Sequence, residues 1–128
     1  MASCREAYMG TMVEAVCACG YSSGVMALGG GRSNHLTHCG FPCYCSACKR
    51  LFKANMYADE VACPNCDTNS VLPYDDPSLA PTGDVVGKIF SWNTSDRLGR
   101  ELILHDGEYF CARCDDFSLR FEVTALYS

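Results

Sequence analysis

Hydrophobic and polar residues alternate along this chain in short runs, and no long stretch carries helical periodicity. Near the C-terminus, Leu119, Phe121, Val123 and Ala125 alternate with Arg120, Glu122 and Thr124. A period of two places one set on a buried face and the other toward solvent, so this segment reads as a half-buried strand. Met12–Val16, Tyr21–Leu28 and Lys88–Trp92 also read as strands, and Arg50–Ala54 and Glu60–Ala62 are strand-like. Asp106-Gly107, within Leu102–Phe110, is a two-residue turn signal and predicts a hairpin there. Ser70–Tyr74 reads as a short strand that Pro73 restricts to an edge or an end. Between Ser95 and Leu104 there is room for one helical turn, which Gly99 weakens. Gly29-Gly30-Gly31 reads as a flexible junction, and the proline-containing stretch 75–83 as a linker.

Four cysteine clusters interrupt this strand-like sequence: Cys17-Ala18-Cys19, Cys45-Ser46-Ala47-Cys48, Cys63-Pro64-Asn65-Cys66 and Cys111-Ala112-Arg113-Cys114. A C-x-x-C turn can aim two sulfurs at one ion, because the two intervening residues let the backbone curl around it. Structural zinc takes four ligands in a tetrahedron, so two such turns face to face complete a site. Cys45, Cys48, Cys63 and Cys66, with fourteen residues between the two turns, have the loop length of a zinc-ribbon site. Cys17, Cys19, Cys111 and Cys114 predict a second site that ties the two ends of the chain together. Its first turn is one residue short, although Gly20 follows it.

A competing arrangement joins Cys17 and Cys19 to His35, His38 or Cys39. His35, His38, Cys39 and Cys43 also fall within nine residues and offer a third site, or part of an open catalytic one. Histidines and free cysteines in a glycine-rich loop are more often bystanders. On this reading Cys43 is a spare thiol whose replacement by serine is nearly silent, and Cys4, Cys39 and Cys43 are open to alkylation. His105, just before the turn signal, is expected to be exposed.

Residues 43–74 resemble the zinc ribbon family, and rubredoxins share much the same two-turn design. The resemblance rests on Cys45, Cys48, Cys63, Cys66 and the strands around them. It implies a small β-fold that serves as a nucleic-acid contact, a protein contact or a structural clip. Rubredoxin turns usually carry glycine after the second cysteine, where this chain has Lys49 and Asp67. That departure favours zinc over iron and puts the local turn geometry in question.

Of 128 residues, 48% are hydrophobic, but 11 of these are cysteines. The remaining apolar supply is modest, so cross-links or metals are expected to support the core. An odd cysteine count and an N-terminus without a basic start and apolar run argue against a disulfide framework, and a cytoplasmic location is expected. No apolar stretch is long enough to cross a membrane as a helix. The formal charge is −5, and two zinc ions on eight thiolates would take it to about −9. That disfavours nucleic acid as a partner. Lys49-Arg50-Leu51-Phe52-Lys53 is nevertheless a basic patch with an aromatic inside it, the basis of a nucleic-acid-binding alternative. Neither the deaminase P-C-x-x-C pattern nor H-E-x-x-H occurs. Asp75-Asp76 reads as a solvated turn rather than a catalytic pair.

The expected architecture is small and all-β, with little or no helix. It comprises two zinc-ribbon-like units, one inserted in the other: an outer unit of 1–34 plus 84–128, and an inner unit of 35–83. The expected role is structural zinc binding, with two ions, in a recognition or scaffold module whose partner is a protein. The alternatives are a rubredoxin-like iron electron carrier and a metalloenzyme using His35, His38 and Cys39.

Overall fold

The computed structural model describes residues 10–30, 37–58, 60–81, 87–93 and 98–127. Cys4, His35 and most of the segment around Ser95 lie outside them. The described residues form strands β1 (Gly10–Cys17), β2 (Ser22–Leu28), β3 (Gly40–Cys45), β4 (Arg50–Asn55) and β5 (Val71–Pro73), followed by β6 (Lys88–Asn93), β7 (Glu101–His105), β8 (Tyr109–Cys111) and β9 (Asp116–Tyr127). They pair in three antiparallel sheets of order β2-β1-β9-β8, β4-β3-β5 and β6-β7. The all-β expectation holds. Of the segment 95–104, with room for one helical turn, residues 95–97 lie outside the described residues, Leu98 is helical, and residues 101–104 belong to β7 with Leu102 and Leu104 buried on one face. Among the described residues no helix is long and apolar enough to cross a membrane.

Strand alternation explains most of the core. Thr11, Val13 and Ala15 of β1 point inward, as do Phe90 and Trp92 of β6 and Leu119 and Phe121 of β9. The alternation predicted from Leu119 to Ala125 stops after Phe121. Opposite Met12 and Val13 the register slips by one residue, leaving Thr124 as a bulge whose hydroxyl donates to the Met12 carbonyl. Val123, just before the bulge, is 47% exposed, and Leu126, after it, is 62% exposed. A bulge re-aims every later side chain of its strand, which sequence alternation cannot reveal.

β3 was not foreseen. Gly-Phe-Pro-Cys-Tyr-Cys is buried on both faces, so it shows no alternation, and Pro42 argues against a central strand. The hydrogen bonds show why proline is tolerated. Tyr74 N–H donates to the Pro42 carbonyl at 3.0 Å and Ser46 N–H to Ser70 O at 3.0 Å, so the even-numbered residues of β3 face β5. At Pro42 the neighbour has already left the ladder as the Tyr74 turn, and no amide proton is needed there.

The Asp106-Gly107 turn does not close a hairpin. β7 pairs with β6, whereas β8 pairs with β9. Asp106 N–H donates to Gly87 O, and His105 N–H donates to the Tyr109 hydroxyl, so the chain steps from one sheet to another. His105 is half-buried, and its Nδ1 is buried without a hydrogen-bond partner among the described residues. Residues 75–81 are likewise no free linker. Asp76 caps a turn through Ser78 N–H and Oγ, Leu79 is buried, and Asp75 pairs with Arg100 at 2.7 Å. Glu60–Ala62, read as strand-like, joins no ladder.

One buried cluster runs through all three sheets, from Val13 and Leu28 through Phe41 and Tyr44 to Trp92, Leu102 and Phe121. Tyr74, Tyr109 and Phe121 pack edge to face at its centre. Gly29, expected in a flexible junction, is instead a packing point. It exchanges two 2.8 Å backbone hydrogen bonds with Gly40, has a φ of +77°, and lies against the Trp92 ring. A Cβ at this position would sit 2.7 Å from two ring carbons. Gly29→Ala therefore combines left-handed strain with overpacking, and a loss of about 2–4 kcal/mol is expected in urea unfolding followed by Trp92 fluorescence. A loss below about 0.5 kcal/mol would show that this contact relaxes freely.

Candidate metal centres

Three of the four clusters form under the same local rule. Cys45 ends β3 and Cys48 precedes β4, so the first C-x-x-C is a hairpin turn; Cys111 ends β8 and Cys114 precedes β9 in the same way. In each of the three C-x-x-C turns the residue after the second cysteine donates its N–H to the carbonyl of the first. These bonds are Lys49 to Cys45, Asp67 to Cys63 and Asp115 to Cys111, at 2.8, 2.8 and 2.9 Å. Closing that loop requires left-handed backbone at the donor, and φ is 58°, 60° and 61° at Lys49, Asp67 and Asp115. The short Cys17-Ala18-Cys19 turn closes through Gly20, which donates to Cys17 O at 3.0 Å with φ at 97°. The absence of glycine after three of the turns therefore changes their strain, not their shape. Lys49 and Asp67 thus adopt the left-handed backbone that a glycine would supply at these positions.

The turns bring the sulfurs together in two sets. Cys45, Cys48, Cys63 and Cys66 form one and Cys17, Cys19, Cys111 and Cys114 the other, with all Sγ atoms of a set within 4.8 Å of one another. The shortest separations are Cys45–Cys66 and Cys48–Cys63 at 3.5 Å each, Cys17–Cys114 at 3.6 Å and Cys19–Cys111 at 4.0 Å. A tetrahedron with zinc–sulfur bonds of about 2.3 Å has edges of about 3.8 Å. Both sets are zinc-ribbon-like and could hold a metal ion. Cys45, Cys63 and Cys111 are buried, while Cys19, Cys66 and Cys114 reach solvent.

Hydrogen bonds prepare the sulfurs for negative charge. The Asn65 and Cys19 amides donate to Cys63 Sγ and Cys17 Sγ at 3.4 Å each. Burial raises the Cys63 pKa, but the Cys66 and Asn65 amides and the Cys48 and Cys45 thiols outweigh it and bring the value to about 6. At Cys17 burial is likewise outweighed, by the Cys19 amide, the Ser118 hydroxyl and the Cys19 and Cys114 thiols, again to about 6. Burial, with the neighbouring thiolate, pushes Cys48 and Cys111 up to about 12. Each set thus favours one thiolate first, and the remaining protons must leave if an ion takes all four. Ser118 was missed in the sequence. Its Oγ lies 3.0 Å from Cys17 Sγ and 3.3 Å from Cys114 Sγ, a hydroxyl that can donate to either thiolate. Its place four residues after Cys114, at the start of a strand, was the available signal.

The competing ligands are placed elsewhere. Among the described residues, His38, Cys39 and Cys43 belong to no group that could hold an ion. Cys39 and Cys43 are fully buried, and burial pushes each thiol up to about 12, with the Asp75 charge adding to the shift at Cys43. They are core residues rather than reactive spare thiols, and alkylation should reach them only in the unfolded chain. The Lys49–Lys53 patch is also divided. Lys49 and Arg50 line a cavity with Arg113, whereas Lys53 lies by Gly40 at the other end of β4. No family model, curated protein or solved structure matches the chain.

Two outcomes are expected. Lys49→Gly removes left-handed strain and should stabilise the chain by about 0.5–1 kcal/mol, with Asp67→Gly and Asp115→Gly giving less because aspartate tolerates that conformation better. A lowered denaturant midpoint for Lys49→Gly would contradict the strain. Cys43→Ser places a hydroxyl in the core and should cost about 1–2 kcal/mol without changing metal content. Silent replacement, as read from sequence alone, or a lost metal ion, would be the contrary result.

Proposed function

We propose that each four-sulfur set holds one zinc ion in a structural role, and that the chain is a recognition or scaffold module with a protein as its partner. The observation that carries the zinc reading is the closed donor set. Four sulfurs at tetrahedral spacing fill every position of a zinc ion, leaving none for water or substrate, which is the pattern of structural rather than catalytic zinc. The residues named for a metalloenzyme add no ligand to either set among those described.

The sequence separations support a structural role. Cys17 meets Cys114 across 97 residues and Cys19 meets Cys111 across 92. Cross-linking a loop of about 100 residues removes some 4–5 kcal/mol of chain entropy from the unfolded state, a large share of a small domain's stability. The inner segment, 35–83, is read as inserted between the halves of the outer one. Sheet β4-β3-β5 and its cysteines lie wholly within that segment, while β1, β2, β8 and β9 come from both sides of it.

The first experiment is metal analysis of chain purified under reducing conditions, by native mass spectrometry and absorption. Two zinc ions and no visible colour are expected. Cys63→Ser should lose one ion and Cys111→Ser the other, each with a large fall in unfolding temperature. Iron with a red absorption would replace this reading with the electron carrier, since a tetrahedral set of four thiolates suits iron as well as zinc. Retention of both ions in either variant would dissolve the assignment of ligands.

A further inference from the structure

We propose that a cavity shared by the two cysteine sets binds a nucleotide through its phosphate. This site goes beyond the structural-zinc reading and is tested separately from it. The cavity, about 250 Å³, is lined by Tyr21, Lys49, Arg50, Leu51, Ala112 and Arg113. Every one of these residues comes from a turn already described or its flank. Tyr21 follows the Cys17-Cys19 turn, Lys49 to Leu51 follow Cys48, and Ala112 and Arg113 lie between Cys111 and Cys114. The outer set brings Tyr21 beside Ala112 and Arg113, and packing between the two units, with the Tyr44 and Phe110 rings 5.5 Å apart, brings Lys49–Leu51 next to them.

The lining selects an anion. Three of the six residues are cationic and none is acidic. The ion pairs found among the described residues use Arg100 and Arg120, and Lys49, Arg50 and Arg113 take part in none of them. All three cations are exposed, in a chain whose formal charge is −5. A carboxylate needs one guanidinium, whereas a phosphate monoester, close to a dianion at neutral pH, has three oxygens to satisfy and can use three cations lining one cavity.

The rest of the lining suits a flat, weakly polar body. Tyr21 is half-buried, and Leu51 and Ala112 are partly buried against the core. Aromatic rings and arginine planes both accept a stacked base without demanding a particular one. Overall charge sets the length of the ligand. A long strand brings one negative charge per nucleotide against an acidic protein, and a single nucleotide brings about two. The favoured ligand is a mononucleotide, and the nucleotide at the end of a single strand offers the same chemistry.

The test uses the full metal-loaded chain and follows its amide spectrum while AMP, inorganic phosphate, phosphotyrosine or a six-nucleotide single strand is added. AMP should move the amides of Tyr21, Lys49–Leu51 and Ala112–Arg113, and should bind several-fold more tightly than inorganic phosphate. Arg50→Gln and Arg113→Gln should each weaken AMP by about tenfold, the effect of one charge-assisted contact. Metal content should stay unchanged, because neither side chain is a ligand. A strand no tighter than AMP identifies the free nucleotide, and one tenfold tighter identifies a strand end. Absent or scattered shifts, unchanged affinity in both variants, or phosphotyrosine binding as tightly as AMP would overturn the proposal. So would AMP failing to bind while Arg113→Gln releases metal faster, since the cations would then serve only to offset thiolate charge. Zinc found absent with AMP still moving these amides would remove the zinc reading and leave this site standing.

Discussion

Every sheet in this protein with a cysteine turn depends on one backbone constraint. For two cysteines three apart to aim at a common point, the chain must reverse around them, and the residue after the second must adopt left-handed backbone. Lys49, Asp67 and Asp115 accept that conformation, with φ near 60°, at a cost that glycine would avoid. Something must offset three such costs. The turns are held from outside by ladder pairs, Cys45 with Arg50 and Cys111 with Asp116, and from inside by the convergence of their sulfurs. An ion bound by four thiolates contributes far more than the strain removes, because its binding is coupled to folding.

The sulfur sets were legible in the sequence because their rule is local. Two residues between cysteines suffice to predict a turn, and two turns suffice to predict a set. Which turns face each other across more than ninety residues is a tertiary matter, and the sequence leaves Cys17 and Cys19 open to His35, His38 or Cys39 until the sulfurs are placed. The strands of ordinary alternation, β1 and β6, are legible for the same reason, since one buried face and one wetter face leave a period of two in the residues.

What escaped was whatever two elements decide jointly. β3 is buried by β4 and β5 on its edges and by core on its faces, so its own residues show no period, and its proline is explained only by where Tyr74 turns away. Asp106-Gly107 has the composition of a hairpin turn, but the strands on its two sides have better partners in β6 and β9. Gly29 was taken for flexibility because glycine permits it. Its use here is to let the Trp92 ring and the Gly40 backbone approach together, a fact carried by residues more than ten positions away. The Thr124 bulge is of the same kind, set by Met12 on another strand.

Charge links the sulfur sets to the cavity between their turns. On the proposed zinc reading, four thiolates on a divalent ion would leave each set about two units negative, and partly buried charges are screened less than fully exposed ones. Cations on the same turns lower that repulsion, which is reason enough for Lys49, Arg50 and Arg113 to stand where they do. Offsetting the clusters does not consume them, however. A lysine or arginine that fully neutralised a thiolate would hydrogen-bond to the sulfur, and the sulfur contacts found here come from backbone amides, other thiols and Ser118. The three cations extend past the sulfurs into a cavity that an anion can enter. The turns supply the backbone positions from which the three cations line one cavity.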